Sequence, residues 1–568
     1  MLAKAFAIII AMVSIFAADV AQSALPSHDL VGVWSSERSF GPRIDGSAIV
    51  LRRSGDTWIA HIGFEDLKSS GSQSAVTFTF SDGELRIRSR AGSLVGQWIQ
   101  PPTITTGYRF ATPVVLTQSG DGMWLGRVHP IADIQHFYLF IRSASEGTLD
   151  AFIRNPESNV GARISTRRVV VDGNTVRLRK EGSRDLVGRV NDQGGSLTFH
   201  FDGYPDDFVF RKSTTAPQPK FAYHIPEPIG DGWATASLHG VRLDASKISA
   251  LMSGIETPST SVGAPYIQSV QIARHGKLVL DEYFNDFTID RPHDVRSAGK
   301  SITTLVLGRA MQGGTLGAQT PVYLFFPQYI PFANDDLRKQ AMTVAHLMTM
   351  SSGYACDDND DKSPGNEDTM ESQTAQPDWY KYTLDLPIVA EPGTHAVYCS
   401  AGINLLGGII SKTTDAWLPD YFYDTFAQPM QFRQYGMWLT PPPLDTAYMA
   451  GGDYFLPRDF LKFGQLFLEH GRWRGNQIVD NAWLVESAKP WASLNGPGDY
   501  GYGWHLYTYT VNGRKIKAIS AGGNGGQLLF VFPQLDMTVM ITAANYGQYP
   551  VWQKFVTKLI PSVLSAAE

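Results

Sequence analysis

The sequence contains a single Ser-x-x-Lys, formed by Ser297, Ala298, Gly299 and Lys300. Residues three apart share one face of a helix, so such a pair sets a hydroxyl beside an amine. An amine that has lost its proton acts as the base that turns a neighbouring hydroxyl into a nucleophile. An ammonium does not, so this chemistry requires a site that favours the neutral amine through burial or nearby positive charge. A surface turn is the plain alternative.

The elements around the pair favour a built site. Apolar residues at 302, 305, 306, 310 and 311 predict a helix over 301–312, and Gly313-Gly314 ends it. Strand-like runs at 267–273 and 277–284 flank His275-Gly276, and two more stand at 529–532 and 537–543. Strands from both ends of 230–568 with helices between them predict an α+β domain, an antiparallel sheet covered by helices.

The first half has a different grammar. From about 30 to 211, short alternating runs such as Ala75–Phe80 are separated by Asp82-Gly83, Gly120-Asp121-Gly122 and Asp172-Gly173. This spacing predicts an all-β barrel or sandwich over 27–212. Trp34, Trp58, Trp98 and Trp124 are expected to pack between strands, with an exposed sugar or aromatic platform as the alternative. Residues 213–229 are rich in Pro and Thr and read as a linker. On this reading 230–568 folds without the β-rich half.

Composition excludes some classes. With 43% hydrophobic residues, 18% charged residues and a net charge of −6, the chain is an ordinary globular protein without a basic footprint for nucleic acid. Lys4, the apolar run 5–17 and Ala21-Gln22-Ser23 predict a signal peptide over 1–23, hence a periplasmic or secreted protein with no membrane span after cleavage. Cys356 and Cys399 are the only cysteines. Export permits a bridge between them, and a pair of buried thiols is the alternative. His293, His395 and His505 are isolated, and the acid run 357–361 departs from a calcium loop at Lys362 and Asp368, so no metal or cofactor is expected.

Further along stand Tyr398-Cys399-Ser400 and then Ala521-Gly522-Gly523, with Asn524 next. The order Ser-x-x-Lys, Tyr-x-Ser and a glycine-containing strand resembles the serine hydrolases of the β-lactamase and penicillin-binding-protein superfamily. Phrases such as 347–353, 458–464 and 500–504 extend the resemblance over 230–568, and Tyr-Cys-Ser is similar to the version in 6-aminohexanoate-dimer hydrolases. The resemblance implies a β-lactamase-like domain with a helical subdomain. It makes Ser297 the nucleophile and Lys300 and Tyr398 the proton-handling residues, with the primary base open between them. It places Ser400 and Gly523 near substrate and assigns the oxyanion to the backbone amides of Ser297 and Asn524.

Two departures matter. Ser400 replaces the more usual asparagine, and Ala521 stands where a lysine or histidine holds a substrate carboxylate in β-lactamases and D,D-peptidases. Arg514 and Lys517 are the candidate replacement cations. The expected function is an exported serine hydrolase acting on a small-molecule ester or linear amide through an acyl-enzyme. A D,D-peptidase or β-lactamase acting on cell-wall-like amides, and a non-catalytic binding protein on the same scaffold, are the alternatives.

Overall fold

His275 (φ 53°) and Gly276 (φ 68°), both left-handed, turn strand Ile267–Arg274 back onto Lys277–Tyr283. Two successive left-handed residues match the twist of a tight hairpin, as the sequence suggested. In the computed structural model this hairpin lies inside an eight-stranded sheet. The structure describes residues 27–567 apart from 70–74, 91, 121, 160–164, 192–193, 214–220, 256–260 and 495. The segment 1–23 and residues 214–220 of the expected linker therefore lie outside the described residues.

The sheet runs in the order Ala234–Thr235, Lys277–Tyr283, Ile267–Arg274, Met537–Ala543, Gln527–Phe532, Arg514–Gly523, His505–Val511 and Asp499–Tyr500. Its central strands are buried along their whole length because helices cover both faces. One face carries helices Ala245–Ser253 and Tyr549–Ala566, which contribute Ile248, Leu559 and Val563. The opposite face carries Pro457–Leu468 and Gly299–Met311, whose Leu305, Val306, Phe460 and Phe463 share a core with Leu529 and Met540. Among the described residues, no helix is long and apolar enough to cross a membrane.

The chain before 213 is built of strands, but it does not form one body. A smaller unit of 27–36, Leu139–Phe152 and 166–213 contains most of a closed eight-stranded barrel. Its interior is filled by side chains such as Val176, Leu178, Leu197, Phe199 and Phe210, as a barrel of this strand number permits. The strands between Ala48 and Arg127 belong with the second half. Arg109–Gln118 pairs with Tyr435–Leu439, with Phe110 opposite Trp438. Asp445 takes Arg109 and, at 2.6 Å, Arg86. Val95, Phe110 and Ile131 lie in the same core as Leu305 and Phe460. Trp34 and Trp98 are 1% and 0% exposed, so these two pack between strands.

The observed units cross the division expected at 212, which bears on the expectation that 230–568 folds alone. Strand Tyr435–Leu439 takes its neighbour from the other side of the chain, a pairing that local periodicity does not encode. A fragment of 230–568 would expose that strand edge and the apolar patch beneath it. It is expected to be insoluble or molten, whereas a chain retaining 37–138 stays soluble. Near-UV circular dichroism of the two preparations checks this, and a well-packed 230–568 fragment would contradict it.

Candidate active site

Ser297 lies in a 3-10 turn, Arg296–Ala298, that feeds into helix Gly299–Met311. Arg296 holds φ at 49°, an uncommon angle for a non-glycine residue. Asp294 keeps it there, with Oδ1 accepting the Arg296 amide at 2.8 Å and Oδ2 pairing with Nε at 2.8 Å. The guanidinium also lies 4.9 Å from the centre of the Tyr546 ring. Backbone strain fixed by its surroundings is common where a side chain must be presented at a set angle.

The helix itself is buried nearly all round. Ser301 Oγ donates to Gly503 O and Thr303 Oγ1 to Met449 O, both at 2.5 Å. Lys300 is 1% exposed. Its Nζ donates to Ser297 Oγ at 3.0 Å and to Ala450 O at 2.6 Å, and lies 5.0 Å from the centre of the Tyr398 ring. Ser297 also acts on the Tyr398 phenol, lowering its pKa against the effect of burial. The three residues that the sequence singled out therefore meet at one point. The half-buried Tyr398 phenol is pushed well above its ordinary range. Burial is the largest cause and the carboxylates of Glu367 and Asp358 add to it, while the Ser297 hydrogen bond opposes them.

The loop around Ala450 and Gly451 carried no signal beyond a glycine pair. Gly451 (φ 134°) sits directly against the Ser297 turn, where a Cβ would come 2.6 Å from Arg296 O and 3.1 Å from the Ser297 amide nitrogen. Gly523 closes the other side at the end of strand Arg514–Gly523. A Cβ there would overlap the Val295 carbonyl oxygen and lie 3.2 Å from the Ala298 amide nitrogen. Gly523 thus brings the strand end onto the Ser297 turn. Asn524 follows, its Oδ1 accepting the Gly547 amide at 3.0 Å.

Ser400 departs from the substrate-facing position implied for it. It is 0% exposed, and its hydroxyl and amide both donate to Asp358 Oδ2, at 2.6 and 2.7 Å. Cys356 and Cys399 form a disulfide with their Cα atoms 5.4 Å apart, which settles the open choice between bridge and thiols. The acid run splits by direction: Asp357 and Asp360 accept backbone amides of their own loop, while Asp358 turns inward.

Two carboxylates, Glu367 and Asp358, act on Tyr398. Glu367 accepts from the Tyr448 hydroxyl at 2.6 Å, and Glu371 accepts from Tyr108 at 2.8 Å. Burial, then Glu367, pushes Glu371 up to about 8. Lys517 and Arg514 stand four and seven residues before Ala521 on its strand, roughly 13 and 23 Å away at about 3.3 Å per residue. Neither replaces the missing cation. A cavity of about 580 Å³ lined by His136, Glu157, Arg291 and His293 lies elsewhere, and Ser297, Lys300 and Tyr398 do not border it.

A beta-lactamase family model matches residues 264–550, half of the chain. The chain belongs to the beta-lactamase family. This region holds Ser297, Lys300, Tyr398 and Gly523 in the order the family resemblance required. The 6-aminohexanoate-dimer hydrolase of Paenarthrobacter ureafaciens is 23% identical over 283 residues, 47% of this chain and 69% of that protein. Among solved structures, simvastatin synthase (LovD) from Aspergillus terreus is 16% identical, covering 57% of this chain and 98% of its own at a TM-score of 0.46. EstCE1, a hydrolase with promiscuous acyltransferase activity, is 19% identical, covering 55% and 98% at a TM-score of 0.45.

The glycine at 523 gives a direct test. Gly523→Ala must push the strand end off the nucleophile turn, and misplacement by about 1 Å can cost 10²-fold in rate. Labelling of Ser297 by a fluorophosphonate probe is expected to slow by about that factor with the melting temperature little changed. Labelling at the wild-type rate would show that the close approach is not needed.

Proposed function

We propose that this member of the beta-lactamase family is an exported serine hydrolase that cleaves an ester or linear amide through an acyl-enzyme on Ser297. The observation that carries the reading is the contact of Lys300 Nζ with both Ser297 Oγ and Ala450 O. A neutral amine has two N–H bonds and one lone pair. Donation to Ala450 O uses one N–H, and once the amine has lost its proton the contact with Ser297 reverses, the lone pair accepting from the serine hydroxyl.

Ser297 Oγ attacks the carbonyl carbon while its proton passes to Lys300 Nζ. The tetrahedral oxyanion is held by the backbone amides of Ser297 and Asn524, a kind of donor whose loss typically costs about 10²–10³ in rate. Breakdown of the intermediate breaks the bond to the leaving group. Tyr398, a phenol at neutral pH because burial disfavours its anion, gives its proton to that group and regains one from Lys300. Water then attacks the acyl-enzyme with the same proton path in reverse, releasing the acid and restoring Ser297. The raised Tyr398 favours Lys300 over Tyr398 as the first base.

Substrate charge follows from the surroundings. With Ala521 in place of a cation, and with the carboxylates of Glu367 and Asp358 acting on Tyr398, a carboxylate on the substrate is poorly matched. This favours neutral esters and linear amides over cell-wall stem peptides and β-lactams. Export rests on the composition of 1–23. The family model's own description keeps β-lactam hydrolysis as the second reading.

One preparation tests these points. The fluorophosphonate probe is expected to label wild type and not Ser297→Ala; an unlabelled wild type would favour a binding protein. Among p-nitrophenyl esters, nitrocefin and D-amino-acid amides, esters are expected to turn over, and rapid nitrocefin cleavage would shift the assignment to the second reading. Tyr398→Phe is expected to slow an alkyl ester, whose alkoxide must be protonated, by about 10²-fold. The p-nitrophenyl ester of the same acid, whose leaving group departs as an anion, is expected to lose far less. Equal losses would make Tyr398 the base for Ser297 instead.

A further inference from the structure

Three consecutive residues of the second motif are each tied to one short segment on the far side of the site. The carbonyl of Tyr398 accepts the Asp358 amide at 2.9 Å. Cys399 is bridged to Cys356. Ser400 gives its amide and hydroxyl to Asp358 Oδ2. The remaining oxygen, Oδ1, accepts the Glu367 amide at 3.0 Å, where helix Glu367–Ser372 begins. From these contacts we infer that Asp358 is the positioning residue for Tyr398, holding its main chain so that the phenol meets Ser297. The inference rests on the hydrolase reading above.

The chemistry of the clamp is specific. Both oxygens of a carboxylate accept, so one side chain satisfies three donors at once. An asparagine offers one acceptor oxygen and must turn an NH₂ towards either the two Ser400 donors or the Glu367 amide. Burial pushes the Asp358 carboxyl up and Glu367 adds to it, while Lys300 and the Ser400 donors act in the opposite direction. The charged groups facing it are Lys300 and Glu367.

Its position also explains Ser400. With its hydroxyl bound to Asp358, Ser400 serves the loop rather than the substrate. The disulfide lies two residues before Asp358 and one after Tyr398, so it holds the same two segments covalently while Asp358 sets their register. Asp358 makes no hydrogen bond to either reacting hydroxyl, so its positioning effect passes through Tyr398, while its charge also acts on Lys300.

A double-mutant cycle on an alkyl ester tests this, because residues acting as a unit are non-additive. Asp358→Asn is expected to lower kcat about 30-fold with KM changed less than about twofold, since misplacement alone costs up to about 10². In the Tyr398→Phe background the same substitution is expected to cost less than about threefold. An equal factor in both backgrounds, or no loss in either, would overturn the inference. If Asp358→Asn does not fold, Ser400→Ala takes its place in the cycle, with a smaller loss and the same dependence on Tyr398. Fluorophosphonate labelling of wild type is read alongside. An unlabelled wild type defeats the hydrolase reading, whereas a labelled wild type with additive losses defeats only the role of Asp358.

Discussion

The rest of the site is arranged around one amine held out of water. Lys300 has a solvent exposure of 1%, and its nitrogen contacts a serine oxygen and a backbone carbonyl. Each nearby element serves this contact. The helix sets the three-residue spacing, the Asp294 clamp fixes the turn, and Gly451 and Gly523 let two backbone segments close on it. Larger residues at these two glycines would push those segments away.

Much of this was legible because helix spacing is local. The Ser297–Lys300 pair, the hairpin at 267–284 and the alternating strands of the first half follow from periods of 3.6 and 2. Tyr398 followed from motif order. Side-chain direction did not follow, and Ser400 shows why: the type of a residue does not say whether it turns towards the cleft or back towards a neighbouring loop. Asp358 was hidden in an acid run read as a departure from a calcium loop, and only the fold separates it from Asp357 and Asp360. Ala450 contributes a carbonyl, which leaves no trace in residue type. The disulfide depended on a distance that no spacing along the chain supplies.

The domain division went further astray for a related reason. Strand pairing between Arg109–Gln118 and Tyr435–Leu439 joins residues more than three hundred positions apart. Both strands look complete in isolation, so the boundary at 212 seemed natural. Part of the β-rich region completes the catalytic half, and the barrel is the portion with a core of its own. The Arg86 and Arg109 pairs with Asp445 tie that completing sheet to the loop that runs on to Ala450. The strands once read as a separate domain are therefore continuous with the scaffold of the site.

The central claim, that Lys300 takes the proton of Ser297, is tested most directly by chemical rescue. Acylation of Ser297 by a p-nitrophenyl ester would be followed in wild type and in Lys300→Ala, with and without added methylamine. The account expects the variant to acylate at least about 10²-fold more slowly and the free amine to restore part of the rate in proportion to its unprotonated fraction. Acylation of Lys300→Ala at the wild-type rate without added amine would contradict it.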